Sequence, residues 1–71
     1  MKIHVSDPTL VPSLLAFLQE RVHVIADQVA PNEIEVSLLG SMNTAKRRLE
    51  LDRMLQLWRA ANEQAETRIL D

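Results

Sequence analysis

The sequence predicts a two-layer α+β domain, with two helices laid on one face of a mainly antiparallel sheet. Three observations carry this expectation. Two short runs, "KIHVS" and "EIEVSLL", alternate apolar and polar residues with the period of a half-buried strand. Two other runs, "LVPSLLAFLQ" and "TAKRRLELDRMLQLWRAANEQ", repeat their apolar residues at helical spacing. Turn chemistry separates them in the order strand, helix, strand, strand, helix, and the tail "ETRILD" offers one further strand.

In the first strand Ile3 and Val5 face one way, and Lys2, His4 and Ser6 the other. Asp7-Pro8 then turns the chain, with Asp7 as a cap and Pro8 at the first helical position, where a missing N–H is harmless. Thr9 is the alternative cap, and the helix is firm by Leu10. Leu10, Leu14, Phe17 and Leu18 form its apolar stripe, widened by Val11 and Leu15. "VHVIADQVA" (residues 22–30) is β-branched, Pro31-Asn32 is a turn, and residues 33–39 alternate, so the pair reads as a hairpin. Less regular alternation in the first arm points to a bulge at Ala26-Asp27. After Gly40, Ser41 or Asn43 caps the longest element, about residues 44–64, which buries Leu51, Met54, Leu55, Trp58, Ala61 and Ala65. In the tail Thr67 and Ile69 share a face. The whole order β-α-β-β-α-(β) is that of the ferredoxin-like, or split βαβ, fold, in which the far face of the sheet stays open. Lys2, His4, Glu33, Glu35 and Ser37 would line that face.

Composition narrows the function. A chain of 71 residues is one domain, and at this size only ~60% of the unfolded surface is buried on folding. With no cysteine there is neither disulfide nor thiolate zinc to add stability, which leaves a compact core or a second subunit. A net charge of −2 argues against a dedicated nucleic-acid binder. No run approaches the length of a membrane span, and "MKIHVSDP" is not a secretory signal, so a cytoplasmic protein is expected.

The segments "HVSDPTLVPSLLAFL", "NEIEVSLLGS" and "RLELDRMLQLW" resemble a group of short uncharacterised bacterial proteins. That resemblance implies a shared fold and no activity. "VSDPTLVPSLLAFLQERVHV" also resembles the first half of an ACT-type regulatory domain, in which a strand ends in an Asp-x-Pro-Gly-like turn before a Leu-rich helix. This resemblance implies pairing of domains through sheets or helices, and amino-acid binding at the interface. Thr9 and Leu10 stand where that family has the glycine that admits a ligand, so the resemblance extends to the fold and stops short of the ligand.

Chemistry-bearing groups are few. Lys46, Arg47 and Arg48 open the second helix next to Ser41 and Asn43, a combination suited to an anion or to nucleic acid. Glu50 and Asp52 lie within helical reach of these cations and could pair with them instead. The P-loop spacing is absent. His4 and His23 could form a His–Glu–His row with Glu35 across the open face, but no local ligand spacing supports a metal site and none is assigned. Phe17 and Trp58, the only aromatics, fall on helical core stripes, so the sheet has no platform for stacking RNA bases. No nucleophile–base pair can be placed, and the first strand-to-helix turn lacks the arginine that acylphosphatase chemistry would need. Leu49 lies nearly opposite the Leu51–Leu55–Trp58 stripe and Leu57 is off-centre, which makes both candidates for self-association.

The expectation is a non-enzymatic interaction or regulatory module, with no catalytic residues, cofactor or metal. It would act as a homodimer or with another protein partner, and away from the membrane. An anion or nucleic-acid contact through Lys46, Arg47 and Arg48 is the alternative.

Overall fold

A computed structural model describes residues 1–40 and 43–70 of the chain. It is an α+β domain with the element order β1 (Lys2–Val5), a 3-10 turn (Pro8–Leu10), α1 (Val11–Gln19), β2 (Val24–Ala30), β3 (Glu33–Leu38), α2 (Thr44–Ala61) and β4 (Thr67–Leu70). The four strands form one sheet in the order β2-β3-β1-β4, and every neighbouring pair is antiparallel. Each helix therefore carries the chain across one intervening strand: α1 from β1 to β2 over β3, and α2 from β3 to β4 over β1.

Alternation decides which face the helices cover. Ile3 and Val5 of β1, Val24 and Ala26 of β2, and Ile34, Val36 and Leu38 of β3 are all buried. They join Val11, Leu14 and Leu18 of α1 and Leu51, Met54, Leu55 and Trp58 of α2 in one core. Among the described residues no polar side chain is fully buried, so apolar burial holds the two layers together. One polar link crosses the helices, where the Trp58 indole Nε1 donates to Ser13 Oγ at 3.3 Å.

The first turn forms as its residues dictate. Asp7 accepts from both the backbone N–H and the hydroxyl of Thr9, at 2.9 and 2.6 Å, with Pro8 in the first helical position. Asp7 is thus the cap, and α1 follows after one tight turn. Asn43 caps α2 by accepting from Lys46 N at 2.9 Å. Gly40 has φ +131°, a region that L side chains rarely adopt, and nothing lies within 4 Å of where its Cβ would be. The glycine is needed there for its backbone freedom and not for space.

Several expectations need correction. β2 begins at Val24 and not at residue 22; Val22 is 99% exposed. The irregularity in β2 lies between Gln28 and Ala30, not at Ala26-Asp27. It sits beside the Pro31-Asn32 turn, where no non-glycine residue has positive φ. A turn of that kind splays its strands, and an extra residue restores twist. α2 ends at Ala61 rather than near residue 64, because Asn62 turns back, its Nδ2 donating to Trp58 O at 2.9 Å. Ala61 is consequently exposed, and Ala65 reaches the core from the connection to β4. Phe17 is only partly buried, under the Arg21 guanidinium 4.2 Å from its ring centre. The tail does form a strand, with Thr67 and Ile69 on the helix-side face opposite Val5 and Ile3.

Candidate interaction surface

The uncovered face of the sheet is built from the second set of alternating residues. In register across it lie Leu70, Lys2, Glu35 and Asp27, and beside them Arg68, His4 and Glu33. Ile25, 51% exposed, stands opposite Ser37. Strand order gives this face a division of charge. The half formed by β4 and β1 carries Arg68, Lys2 and His4; the half formed by β3 and β2 carries Glu33, Glu35 and Asp27. The α-amino group of Met1 lies near the seam, 3.5 Å from Glu35 Oε1 and 2.9 Å from Val36 O.

His23 does not belong to this face. It precedes β2, and its Nε2 is 2.6 Å from Glu50 Oε1 on α2. A His4–Glu35–His23 row is therefore not assembled. Among the described residues no three His, Asp or Glu side chains converge as metal ligands would. The same contact takes Glu50 away from the local helical pairing with Lys46, while Asp52 accepts from Gln56 at 3.0 Å.

The three successive cations of α2 stand about 100° apart around the helix and fan outward. Arg47 turns back so that its Nη2 donates to Gly40 O at 3.1 Å. Lys46 borders a hollow with Leu49, Glu50 and Arg53. Arg48 borders a different one, on the β4 side. The Asn43 carbonyl oxygen is used by its cap, and Ser41 lies outside the described residues. The turn after β1 is equally self-contained: Thr9 N donates to the Asp7 carboxylate and Leu10 N to Asp7 O, so these amides are engaged within the turn.

Leu49 and Leu57 are both exposed, at 51% and 63%. Eight residues apart, they are rotated by about 80° and do not form one strip. Leu49 rims a groove of about 510 Å3 between α2 and β4. From α2 come Arg48, Asp52, Leu55 and Arg59, spaced i, i+4, i+7 and i+11 along one flank; from β4 come Thr67, Arg68 and Ile69. Sequence reading missed this place. The helical spacing of the four α2 residues was readable, but which strand lies beside them is set by long-range pairing.

No helix among the described residues is long and apolar enough to cross a membrane. No protein-family model, curated protein or solved structure matches the chain.

Proposed function

We propose that this chain is a non-enzymatic, self-associating interaction module of ferredoxin-like architecture, working in the cytoplasm. Two interleaved βαβ units with the sheet order β2-β3-β1-β4 support the architecture. A cysteine-free composition fits the compartment.

The division of charge on the open sheet face carries the functional reading. Two copies packed face to face about a twofold axis parallel to the strands, between β1 and β3, exchange their halves. Lys2 of one copy then meets Glu35 of the other, and His4 meets Glu33. An axis perpendicular to the strands would instead stack like on like, so electrostatics selects one arrangement. Size sets the strength. Four strands about 4.8 Å apart and about five residues long give a face of roughly 19 by 17 Å. That falls well below the ~800 Å2 per partner of a standard stable interface, so the dimer is weak and salt-sensitive.

Sedimentation between 10 μM and 1 mM protein tests this, those concentrations bracketing about 100 μM, where an interface of −5 to −6 kcal/mol half-associates. At low salt the expected result is a monomer–dimer equilibrium that shifts to monomer as salt rises. Glu35→Lys weakens association, and adding Lys2→Glu restores it. Thermal melts of the dilute variants separate this from a loss of folding. A strict monomer at the upper concentration and low salt overturns the proposal.

A further inference from the structure

Of the two histidines, His23 is engaged with Glu50 Oε1 on α2, 2.6 Å away. His4 is different. It stands half-buried on the open sheet face, and among the described residues its ring has no hydrogen-bond or ion-pair partner. The ladders fix its neighbours. Val5 N donates to Asn32 O and Val36 N to Met1 O, so His4 and Glu33 form a non-hydrogen-bonded pair, the kind in which side chains lie closer. On the other flank Ser6 N donates to Glu66 O, which makes His4 and Arg68 a hydrogen-bonded pair, farther apart. Lys2 precedes His4 on the same face, and Glu66 lines a hollow with His4, Ser6 and Arg68. Within one copy, an imidazolium at His4 thus meets two cations, Arg68 and Lys2, and two carboxylates, Glu33 and Glu66. These come close to balance.

The twofold packing proposed above breaks that balance. With the axis parallel to the strands between β1 and β3, β3 of the second copy lies over β1. Glu33 of the second copy then stands over His4, and Glu35 of the second copy over Lys2. Stacked sheets are about 10 Å apart, a gap that an imidazole and a glutamate bridge from opposite sides.

We propose that this dimer is proton-linked: protonation of His4 in each copy tightens it, through Glu33 of the other. The proposal rests on the open-face dimer and assigns its control. Linkage gives the sign. A base that gains a carboxylate only on association holds its proton more tightly in the dimer. Falling pH through the histidine range therefore favours dimer, and rising pH favours monomer. Symmetry doubles the effect, since the axis makes two identical pairs. With each exposed pair worth a factor of about two to three, the dissociation constant should fall about fivefold. Two other groups can change charge in this range, the α-amino group of Met1 beside Glu35 and His23 beside Glu50.

Sedimentation at low salt, at pH 8 and at pH 6, measures the effect; glutamates stay ionised at both. The expected result is the fivefold tightening at pH 6, and its loss in His4→Gln and in Glu33→Gln. Both variants keep Met1 and His23, so a response carried by those groups would survive in them. Thermal melts of dilute protein check that each variant is folded at both pH values. Mixing the variants separates contact between copies from contact within one. The mixed dimer joins His4 of one chain to Glu33 of the other, while neither chain holds both. With one variant fluorescently labelled, the mixed dimer should tighten about twofold to threefold at pH 6, and neither variant alone should tighten. A His4→Gln protein that keeps the full response overturns the proposal, as does a mixed dimer that ignores pH. A wild-type dimer of equal strength at both pH values overturns it while leaving the open-face dimer standing. A strict monomer at the highest concentration and both pH values removes both.

Discussion

At the scale of single residues, two side chains decide local structure in ways that can be measured. Asp7 is fully exposed, yet its carboxyl is held below the ordinary carboxylate range, first by the Thr9 hydroxyl and then by the Thr9 backbone N–H. A carboxyl whose folded pKa is depressed adds stability above its unfolded pKa, and that contribution is lost as pH falls through the folded value. The native Asp7 resonance should therefore titrate below that of an unfolded reference peptide. Thr9→Ala should move it part of the way back, since the backbone donor remains. Titration of native Asp7 at the reference position would mean that the cap does not form in solution. Trp58 works through packing. It is 3% exposed in the core and tied to Ser13 by its indole N–H. Trp58→Ala should destabilise by about 3–5 kcal/mol in chemical denaturation, and Trp58→Phe by much less, losing mainly the hydrogen bond and some volume. Equal losses for the two would show that the Ser13 bond, not the ring volume, carries the effect. Both residues were legible in the sequence, because capping and stripe membership are local properties.

At the scale of elements, legibility tracked the range of the determining interaction. Ile3/Val5 and Ile34/Val36/Leu38 alternate without exception, and β1 and β3 followed from that. The end of α2 did not, because Ala61 and Ala65 continue the helical spacing while Asn62 stops the helix by reaching back to Trp58 O. His23 could not be placed by parity, since its partner Glu50 is 27 residues away on another element. The groove was invisible for the same reason: Arg48, Asp52, Leu55 and Arg59 form a readable flank, but only the pairing of β4 with β1 brings Ile69 beside them. The guarded edge of β2, where the Gln19 side chain donates to Ala26 O at 3.0 Å, is a further long-range effect with a testable consequence. Gln19→Ala removes the donor on Ala26 O. The expected loss is about 1 kcal/mol, the usual net worth of such a bond. More telling, the variant should aggregate faster than the parent at equal fraction folded, because an open β2 edge accepts another chain. If light scattering finds the two indistinguishable, the bulge alone protects the edge and Gln19 is incidental.

At the scale of the whole molecule, small size and charge layout meet. The core is apolar, with no disulfide and no polar side chain fully buried among the described residues. A chain this short leaves a thin margin of stability, so any contact made only by the folded state should be visible as a shift in melting. If folding is linked to the weak dimer proposed above, mass action makes the melting midpoint depend on protein concentration. For a dissociation constant near 100 μM, raising the protein from well below it to ~1 mM leaves about a fifth of it monomeric and adds about 1 kcal/mol. In a domain of this length that is a rise of roughly 4–8 °C. The paired charges Lys2 and Glu35 act across the twofold axis, so the rise should shrink as salt screens them. Calorimetry at two concentrations and two ionic strengths gives the four midpoints required. A midpoint that ignores concentration at low salt would make the division of charge an ordinary solvated surface, its cross-strand neighbours satisfied within one copy. A rise that persists unchanged at high salt would locate the contact elsewhere, on the exposed apolar residues Ile25, Leu49 or Leu57, where burial rather than charge would drive it.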